Sequence, residues 1–152
     1  MRTILGIDPS PDKHAWAIIN QDLDVIGFGR DFTAECQGPS KNGLLETWIE
    51  MIASYGMPVG KEVFDTCVQI GSLMTLIPAW GPVYRVTRNS VKNSVCHSSK
   101  AKDSNIRQAV IDRFGGPQCI KKGGKLHGVA GDTWAALAVC LAALDPEVKK
   151  YE

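Results

Sequence analysis

The sequence has few of the features on which small secreted or membrane proteins depend. Its five cysteines include no Cys-x-x-Cys pair, so neither a disulfide framework nor a zinc site is indicated. No apolar run reaches the roughly 18 residues of a membrane helix, and the first residues lack the apolar core of a signal peptide. We therefore expect a cytoplasmic protein with scattered reduced thiols and no membrane partner.

The chain also has almost no net charge, +1 at pH 7, but its charges are unevenly distributed. Residues 1–84 contain 5 basic and 10 acidic side chains, whereas residues 85–126 contain 10 basic and 2 acidic ones. A basic middle segment between acidic segments suits a polyanion-binding track beside a carboxylate cluster. Composition alone is equally compatible with a solvated basic face.

The order of the apolar segments predicts an α/β fold with a mixed sheet, in one domain over residues 1–152. Turn-linked strands are predicted for TILGID, HAWAIIN and VIGFGRDF, and a later strand for PVYRVT. LLETWIEMIAS fits either a strand or a helix. Helical spacing is present in KEVFDTCVQIGSLMTLI, KAKDSNIRQAVIDRFGG and AGDTWAALAVCLAAL. Loops are predicted for TAECQGPSKNG, NSVKNSVCHSS and PQCIKKGGKLHG.

Three acidic residues are each embedded in apolar sequence. Asp8 ends the first strand, Glu50 lies in TWIEMIA, and Asp132 starts the last helix. Taken singly, Asp8 and Asp132 could be turn or helix caps, and Glu50 an exposed helix residue. Taken together, carboxylates on two adjacent strands and a packed helix could converge on Mg²⁺ or Mn²⁺. Two such ions about 4 Å apart support phosphodiester hydrolysis.

Four segments of the chain resemble, in the same order, the RuvC branch of the RNase H-like nucleases, which are Holliday junction resolvases. The resemblance is greatest to the small resolvase-like endonucleases of bacteriophages. The segments are ILGIDPSPDKHAWAII, IEMIASYGMPVGKEVFDTCVQIGSL, SSKAKDSNIRQAVIDRFGG and GVAGDTWAALAVCLAAL. The resemblance implies an RNase H-like fold: a five-stranded mixed sheet, with three antiparallel N-terminal strands, then parallel ones, and helices on both faces.

The resemblance also assigns residue roles and a cofactor. Asp8, Glu50 and Asp132 become the metal ligands of a crossover-junction endodeoxyribonuclease that uses two Mg²⁺ ions, for which Mn²⁺ can substitute. Lys102 or Lys100 becomes the basic residue near the scissile phosphate, where it would stabilise developing negative charge.

Three features differ from the pattern of the family. A further acid or a His usually stands three residues before the last Asp, where this chain has Val129. His127 could substitute from the loop as a metal ligand. Ser10 stands where Gly is common after Asp-Pro. The crossover helix before Glu50 is short or missing in GPSKNGLLE, which makes Glu46 an alternative ligand.

The resemblance implies a homodimer that acts on branched DNA, a four-way junction above all, with flaps and Y-junctions as further substrates. Trp80 and Tyr55 are candidate interface residues. The basic segment would follow the phosphate backbone, which supplies most of the affinity in such complexes. The side chains expected to bind DNA are Arg85, Arg88, Lys92, Lys100, Lys102, Arg107, Lys121, Lys122 and Lys125.

Other functions stay open at this point. A catalytically silent module that binds DNA junctions would use the same fold, and the missing fourth ligand at Val129 favours it. A nuclease of this fold could instead act on another nucleic acid, such as an RNA–DNA hybrid. A likeness in fold alone, with a small-molecule or structural role, would require the three acids to lie apart.

Overall fold

A computed structural model describes residues 1–32 and 45–152 of the chain. The loop predicted for TAECQGPSKNG lies outside these residues, as does most of the segment expected to hold a reduced crossover helix. The strands are β1 (Thr3–Asp8), β2 (Ala15–Asn20), β3 (Val25–Gly29), β4 (Leu45–Met51) and β5 (Val83–Thr87). The α-helices are α1 (Lys61–Leu76), α2 (Arg88–Cys96), α3 (Asp103–Arg113) and α4 (Thr133–Leu144). Short 3-10 helices follow at Ile77–Trp80 and Pro117–Ile120.

The five strands form one mixed sheet in the order β3-β2-β1-β4-β5. β1, β2 and β3 pair antiparallel, whereas β4 is parallel to both β1 and β5. The turn between β2 and β3 is stabilised by Asn20, whose side-chain oxygen accepts hydrogen bonds from the amides of Asp22 and Asp24, both at 2.9 Å. The predicted meander and the mixed five-stranded sheet are confirmed.

Helices cover both faces of the sheet. On one face α1 packs through Ile70 and Leu73 against Leu5 and Ile7 of β1. On the other face α2, α3 and α4 share a larger core with alternate residues of the strands, including Ile4 and Trp48. Residues of β1 and β4 therefore alternate between the two layers, and each strand position has a definite helix layer above it.

α4 is the central helix of the larger layer. Its sequence carries no strongly polar face, and its residues from Ala136 to Ala143 are all buried accordingly. It lies very close to β1 at Gly6, because a Cβ atom there would stand 2.5 Å from the Ala136 carbonyl oxygen and 2.6 Å from the Cys140 sulfur. A glycine in the strand thus permits a strand-to-helix approach that no other residue would allow.

The structure resolves one ambiguity and corrects one prediction. LLETWIEMIAS forms the strand β4 and not a helix. The segment NSVKNSVCHSS, predicted as a loop, contains most of α2. Thr87 caps this helix by accepting a hydrogen bond from the Ser90 amide, and His97 ends it in the left-handed conformation. The prediction was wrong because α2 is polar in composition, with Val91 as its one fully buried residue, so the segment resembles a loop.

Two further expectations concern membrane segments and cysteines. By length and composition alone, the helical segment Lys61–Trp80 could cross a membrane, which the sequence did not predict. Ile70, Leu73 and Ile77 of this segment are buried in the core, whereas most of the segment is exposed or only partly buried. In residues 1–32 and 45–152, the four cysteines Cys67, Cys96, Cys119 and Cys140 are free thiols, as expected.

Candidate active site

Asp8 and Glu50 lie side by side on the α4 side of the sheet. Ile7 of β1 pairs with Ile49 of β4 in parallel register, so the residues that follow them are neighbours. Asp8 shares the sheet face of Ile4, which packs in the larger core, and Glu50 shares the face of Trp48. The alternation of the strands therefore turns both carboxylates towards the same helix layer.

Asp132 approaches from that layer, at the N-terminus of α4. It occupies the N-cap position, yet its side chain makes no capping hydrogen bond, so its carboxylate is not used to cap the helix. The close packing of Gly6 on Ala136 sets the height of α4 above β1. Asp132 lies one helical turn before Ala136, and Asp8 lies two strand residues after Gly6, which brings the two carboxylates to the same end of the sheet. We call Asp8, Glu50 and Asp132 the acid cluster.

The electrostatics of Asp8 reflect the other two acids. The pKa of the Asp8 carboxyl is raised from its ordinary value of 3.8 to about 8, and burial is the largest cause. The charge of Glu50, a hydrogen bond with Glu50 and the charge of Asp132 contribute to the rise, while Arg88 opposes it. In its protonated form Asp8 donates this hydrogen bond to the Glu50 carboxylate.

Arg88 is the cation at the acid cluster. Its Nη1 lies 3.5 Å from Oε1 of Glu50, and its Nη2 pairs with the carboxylate of Asp103. The guanidinium is therefore shared between two acids. Arg88 is the first residue of α2 and directly follows β5, the strand that pairs with β4, so its position follows from the sheet order.

The acid cluster has the donor chemistry of a Mg²⁺ or Mn²⁺ site. Its donors are all carboxylate oxygens, which hard divalent cations prefer, with no thiolate or imidazole among them. Over the part of the chain that the structure describes, no three Asp, Glu, His or Cys side chains already stand close enough to form a complete cage. The residues fit the ion in kind, and their side chains would have to come closer together to bind it.

A cavity of about 830 Å³ opens beside the acid cluster. Asp8 and Asp132 line one end of it, together with Arg88. Its other end lies between α3 and the start of α4, where Trp134 and Arg107 face it. This volume is within the range of about 300–1,000 Å³ that is usual for ligand sites.

The other predicted site residues lie further from the acid cluster. Lys100 and Lys102 are exposed on the connection between α2 and α3, directly before Asp103, which does line the cavity. His127 is exposed, and its Nδ1 lies 3.3 Å from the carbonyl oxygen of Ile120 in its own loop. Neither lysine nor His127 lines the cavity within the described residues, and their roles stay predictions.

Glu46 and Val129 can also be placed. Glu46, the alternative ligand, pairs with Arg2 at 2.7 Å and accepts a hydrogen bond from the Trp48 indole. It lies four residues before Glu50 in β4, which is about 13 Å along the strand. Val129 packs against the larger core and contributes no donor atom. Glu46 therefore forms a structural ion pair with Arg2, at the end of β4 away from Glu50.

The basic residues expected to bind DNA differ in how they are used. Lys125 donates to the Leu23 carbonyl and pairs with Asp24, while Arg85 stacks on Tyr151, so both have structural contacts. The side chain of Lys92 is half-buried on α2. The remaining ones, apart from Arg88, are exposed: Lys100, Lys102, Arg107, Lys121 and Lys122.

Two contributors to the site were not assigned to it from the sequence. Asp103 binds Arg88, and Trp134 forms a wall of the cavity. Trp134 is half-buried and lies beneath the guanidinium of Arg107, whose Cζ is 5.0 Å from the ring centroid. Both contacts join segments that are distant along the chain, so no local signal identifies them.

Two solved structures have a similar fold. The chain matches a Thermus thermophilus RuvC structure with a TM-score of 0.64 and 15% sequence identity, over 93% of each chain. It matches T. thermophilus RuvC in complex with Holliday junction substrate with a TM-score of 0.65 and 13% identity, over 93% of this chain and 92% of that one. No protein-family model matches the chain, and no curated protein is significantly similar to it. The fold is therefore that of RuvC and the RNase H-like proteins, as the resemblance implied.

Proposed function

We propose that this protein is a metal-dependent endonuclease that hydrolyses phosphodiester bonds in branched DNA, with the Holliday junction as its principal substrate. The observation that carries the proposal is the acid cluster: three carboxylates from β1, β4 and α4, of which Asp8 and Asp132 line a cavity, with the Asp8 pKa raised by burial and by its acidic neighbours. Such crowding of negative charge is costly unless a cation relieves it. The fold shared with RuvC, one structure of which holds a Holliday junction substrate, supports the choice of DNA.

Asp8, Glu50 and Asp132 would hold two Mg²⁺ ions, or Mn²⁺ in their place. When bound, such ions activate water and stabilise the leaving oxygen of the phosphodiester. Arg88 could exchange Asp103 or Glu50 for a phosphate oxygen as the acceptor of its hydrogen bonds, because both of its present contacts are ion pairs at the cavity edge. Lys102 or Lys100 would approach the phosphate from the connection before α3 and offset developing charge.

The exposed basic side chains support binding to the DNA backbone. Lys121 and Lys122 lie on the loop before α4, and Lys100 and Lys102 on the loop before α3. Both loops precede helices that border the cavity, so a backbone that crosses the cavity would meet them. Contacts of this kind select the shape of a junction, flap or Y-junction with little reading of bases.

We also propose a homodimer, the arrangement that lets two sites cut two strands of a junction. The supporting observation is an apolar surface on α1 that the sheet does not cover, which we call the outer face of α1: Phe64, Val68 and Leu76, exposed by 61%, 67% and 56%. Their spacing places them on one side of the helix. Tyr55 is also exposed, whereas Trp80 packs edge-to-face on Phe32 and is less available. A small phage-type resolvase of the bacterial cytoplasm would have this size and these parts.

The test is cleavage of a four-way junction in Mg²⁺ or Mn²⁺ and in a chelator. We expect nicking with the metal alone, and we expect Asp8→Asn, Glu50→Gln and Asp132→Asn to lower the cleavage rate at least about 100-fold while junction binding persists. Asp22→Asn, a charge change in the exposed β2–β3 turn, is the matched control and should cleave normally. Full cleavage by the acid-cluster variants would contradict the proposal.

A catalytically silent junction-binding module is the second candidate. The absence of a complete three-ligand cage among the described residues favours it, as does the apolar Val129. Tight junction binding without nicking in any divalent metal would select this candidate. Parallel assays on RNA–DNA hybrid, duplex and flap substrates would identify a nuclease with another preference.

A further inference from the structure

The cavity beside the acid cluster has two chemically different ends. The first is ionic and contains Asp8, Asp132 and Arg88. The second is largely apolar, with Ile106 and Ile111 of α3 as its floor and Trp134 as a wall. A phosphodiester needs the first environment, but nothing in the cleavage reaction needs the second.

Trp134 and Arg107 form a planar, cationic surface at this second end, which we call the base platform. The guanidinium carbon of Arg107 lies 5.0 Å from the centroid of the Trp134 ring. Both groups line the cavity, and Arg107 is exposed. Nucleobases stack on aromatic rings and on arginine guanidinium planes with comparable ease.

We propose that the base platform binds one unpaired nucleobase of the nucleotide next to the scissile phosphate. This inference rests on the proposed nuclease function, and it adds a base-binding subsite to it. A branch point supplies unstacked bases, and the cavity continues without a break from the acid cluster to the platform. A nucleotide whose phosphate lies at the acids could therefore place its base at Trp134.

The chemistry of the second end favours a base over a second phosphate. A phosphate would require several cations, whereas Arg107 is accompanied here by isoleucines and an indole. The polar groups at the rim are the Ser104 hydroxyl and the Gln108 amide, both exposed. Such groups suit the hydrogen-bonding edge of a base whose faces are stacked.

The proposal can be tested with a cycle of protein variants and abasic junctions. Single bases are removed in turn around the branch point, and junction affinity is measured by fluorescence anisotropy without divalent metal. We expect one abasic position to weaken wild-type binding about tenfold. Trp134→Leu should weaken binding to the intact junction by a similar factor and should lose nothing further on that abasic junction. Trp134→Phe, which keeps an aromatic ring, should retain most of the affinity.

A second pair of measurements separates base stacking from phosphate binding. Arg107→Lys keeps the charge but removes the guanidinium plane, so it should weaken intact-junction binding without changing the salt dependence of the affinity. With 2-aminopurine at the sensitive position, wild type should quench its fluorescence on binding and Trp134→Leu should not. Thermal unfolding of each variant checks that the fold is kept, and Trp134→Phe and Arg107→Lys preserve the test if Trp134→Leu unfolds.

The outcomes distinguish this inference from the proposed function. If the junction is cut but Trp134→Leu binds the intact junction and every abasic junction as tightly as wild type does, the base platform is overturned and the nuclease stands. If Arg107→Lys binds like wild type, Arg107 is a phosphate contact and the platform is again overturned. If the protein binds no DNA, both proposals fail together.

Discussion

A single residue, Asp8, concentrates the cost of building this site. Its carboxyl ends a strand that is otherwise buried, next to Glu50 and within the field of Asp132. Burial and two negative neighbours favour its neutral form, and one arginine shared with Asp103 does not restore the balance. A residue chosen for stability at this position would be neutral, so the acid is a feature that function explains better than folding does.

The raised Asp8 pKa gives a pH dependence with a definite sign. Between the ordinary value of 3.8 and about 8, the folded chain holds a proton that the unfolded chain has released. Raising the pH through this window therefore lowers the free energy of unfolding of the metal-free protein. Asp8→Asn should remove that slope and should be the more stable protein at pH 8.5 in EDTA, by about 1–3 kcal/mol.

The measurement is urea unfolding of wild type and Asp8→Asn at pH 5.5 and 8.5. The comparison between proteins is necessary because burial lowers the pKa of His14, which makes stability rise with pH below about 6.5 in both. Adding Mn²⁺ should stabilise wild type at pH 8.5 and leave Asp8→Asn nearly unchanged. Parallel pH profiles of the unfolding free energy in the two proteins would show that the Asp8 pKa is not raised as described.

At the scale of elements, the contact between β1 and α4 positions the acid cluster. Gly6 brings the strand against the backbone of α4 at Ala136, and this contact holds Asp132 over the end of the strand. Arg2 adds a second attachment at the other end of α4 by donating to the Ala143 carbonyl at 2.9 Å. The position of Asp132 relative to Asp8 therefore depends on the packing of β1 on α4.

Gly6→Ala tests this arrangement directly. The added methyl would overlap the Ala136 carbonyl and the Cys140 sulfur, so α4 must move away from β1. We expect a loss of about 1–3 kcal/mol in the free energy of unfolding and weaker Mn²⁺ binding, since Asp132 moves with the helix. Gly60→Ala is the control, because a Cβ there meets no atom within 4 Å and its φ is −103°. Equal stability of Gly6→Ala and wild type would contradict the close packing.

The elements also mark how far the sequence alone could lead. Apolar segments separated by turn residues predict β1 to β3, and the embedded acids identify the acid cluster as a candidate. The identity of β4 as a strand required its partners, because a short apolar segment fits either structure. α2 was missed because its residues are mostly polar and only Val91 is fully buried. The contact of Arg107 with Trp134 depends on how α3 meets α4, which no spacing in the sequence encodes.

At the scale of the whole molecule, the two sides of the sheet carry different kinds of surface residues. The larger layer, with α2, α3 and α4, carries the acid cluster, the cavity and most of the exposed basic residues. The opposite layer consists of α1 and its 3-10 extension, and no described residue covers Phe64, Val68 and Leu76 on its outer face. If DNA binds on the cavity side, as proposed, the outer face of α1 stays available for a second copy of the chain.

The outer face of α1 therefore predicts a dimer that charge can dissociate. Wild type at micromolar concentration should show the mass of two chains by light scattering, because exposed apolar patches mark sites of protein association. Phe64→Asp combined with Val68→Asp should give the mass of one chain, with junction strands then nicked independently rather than in pairs. Ile26→Asp, the same change at an apolar residue of β3 that is 56% exposed, should stay dimeric. A wild-type mass of one chain, or a double variant that remains dimeric, would remove α1 as the interface, and the paired cleavage of two strands would then need another explanation.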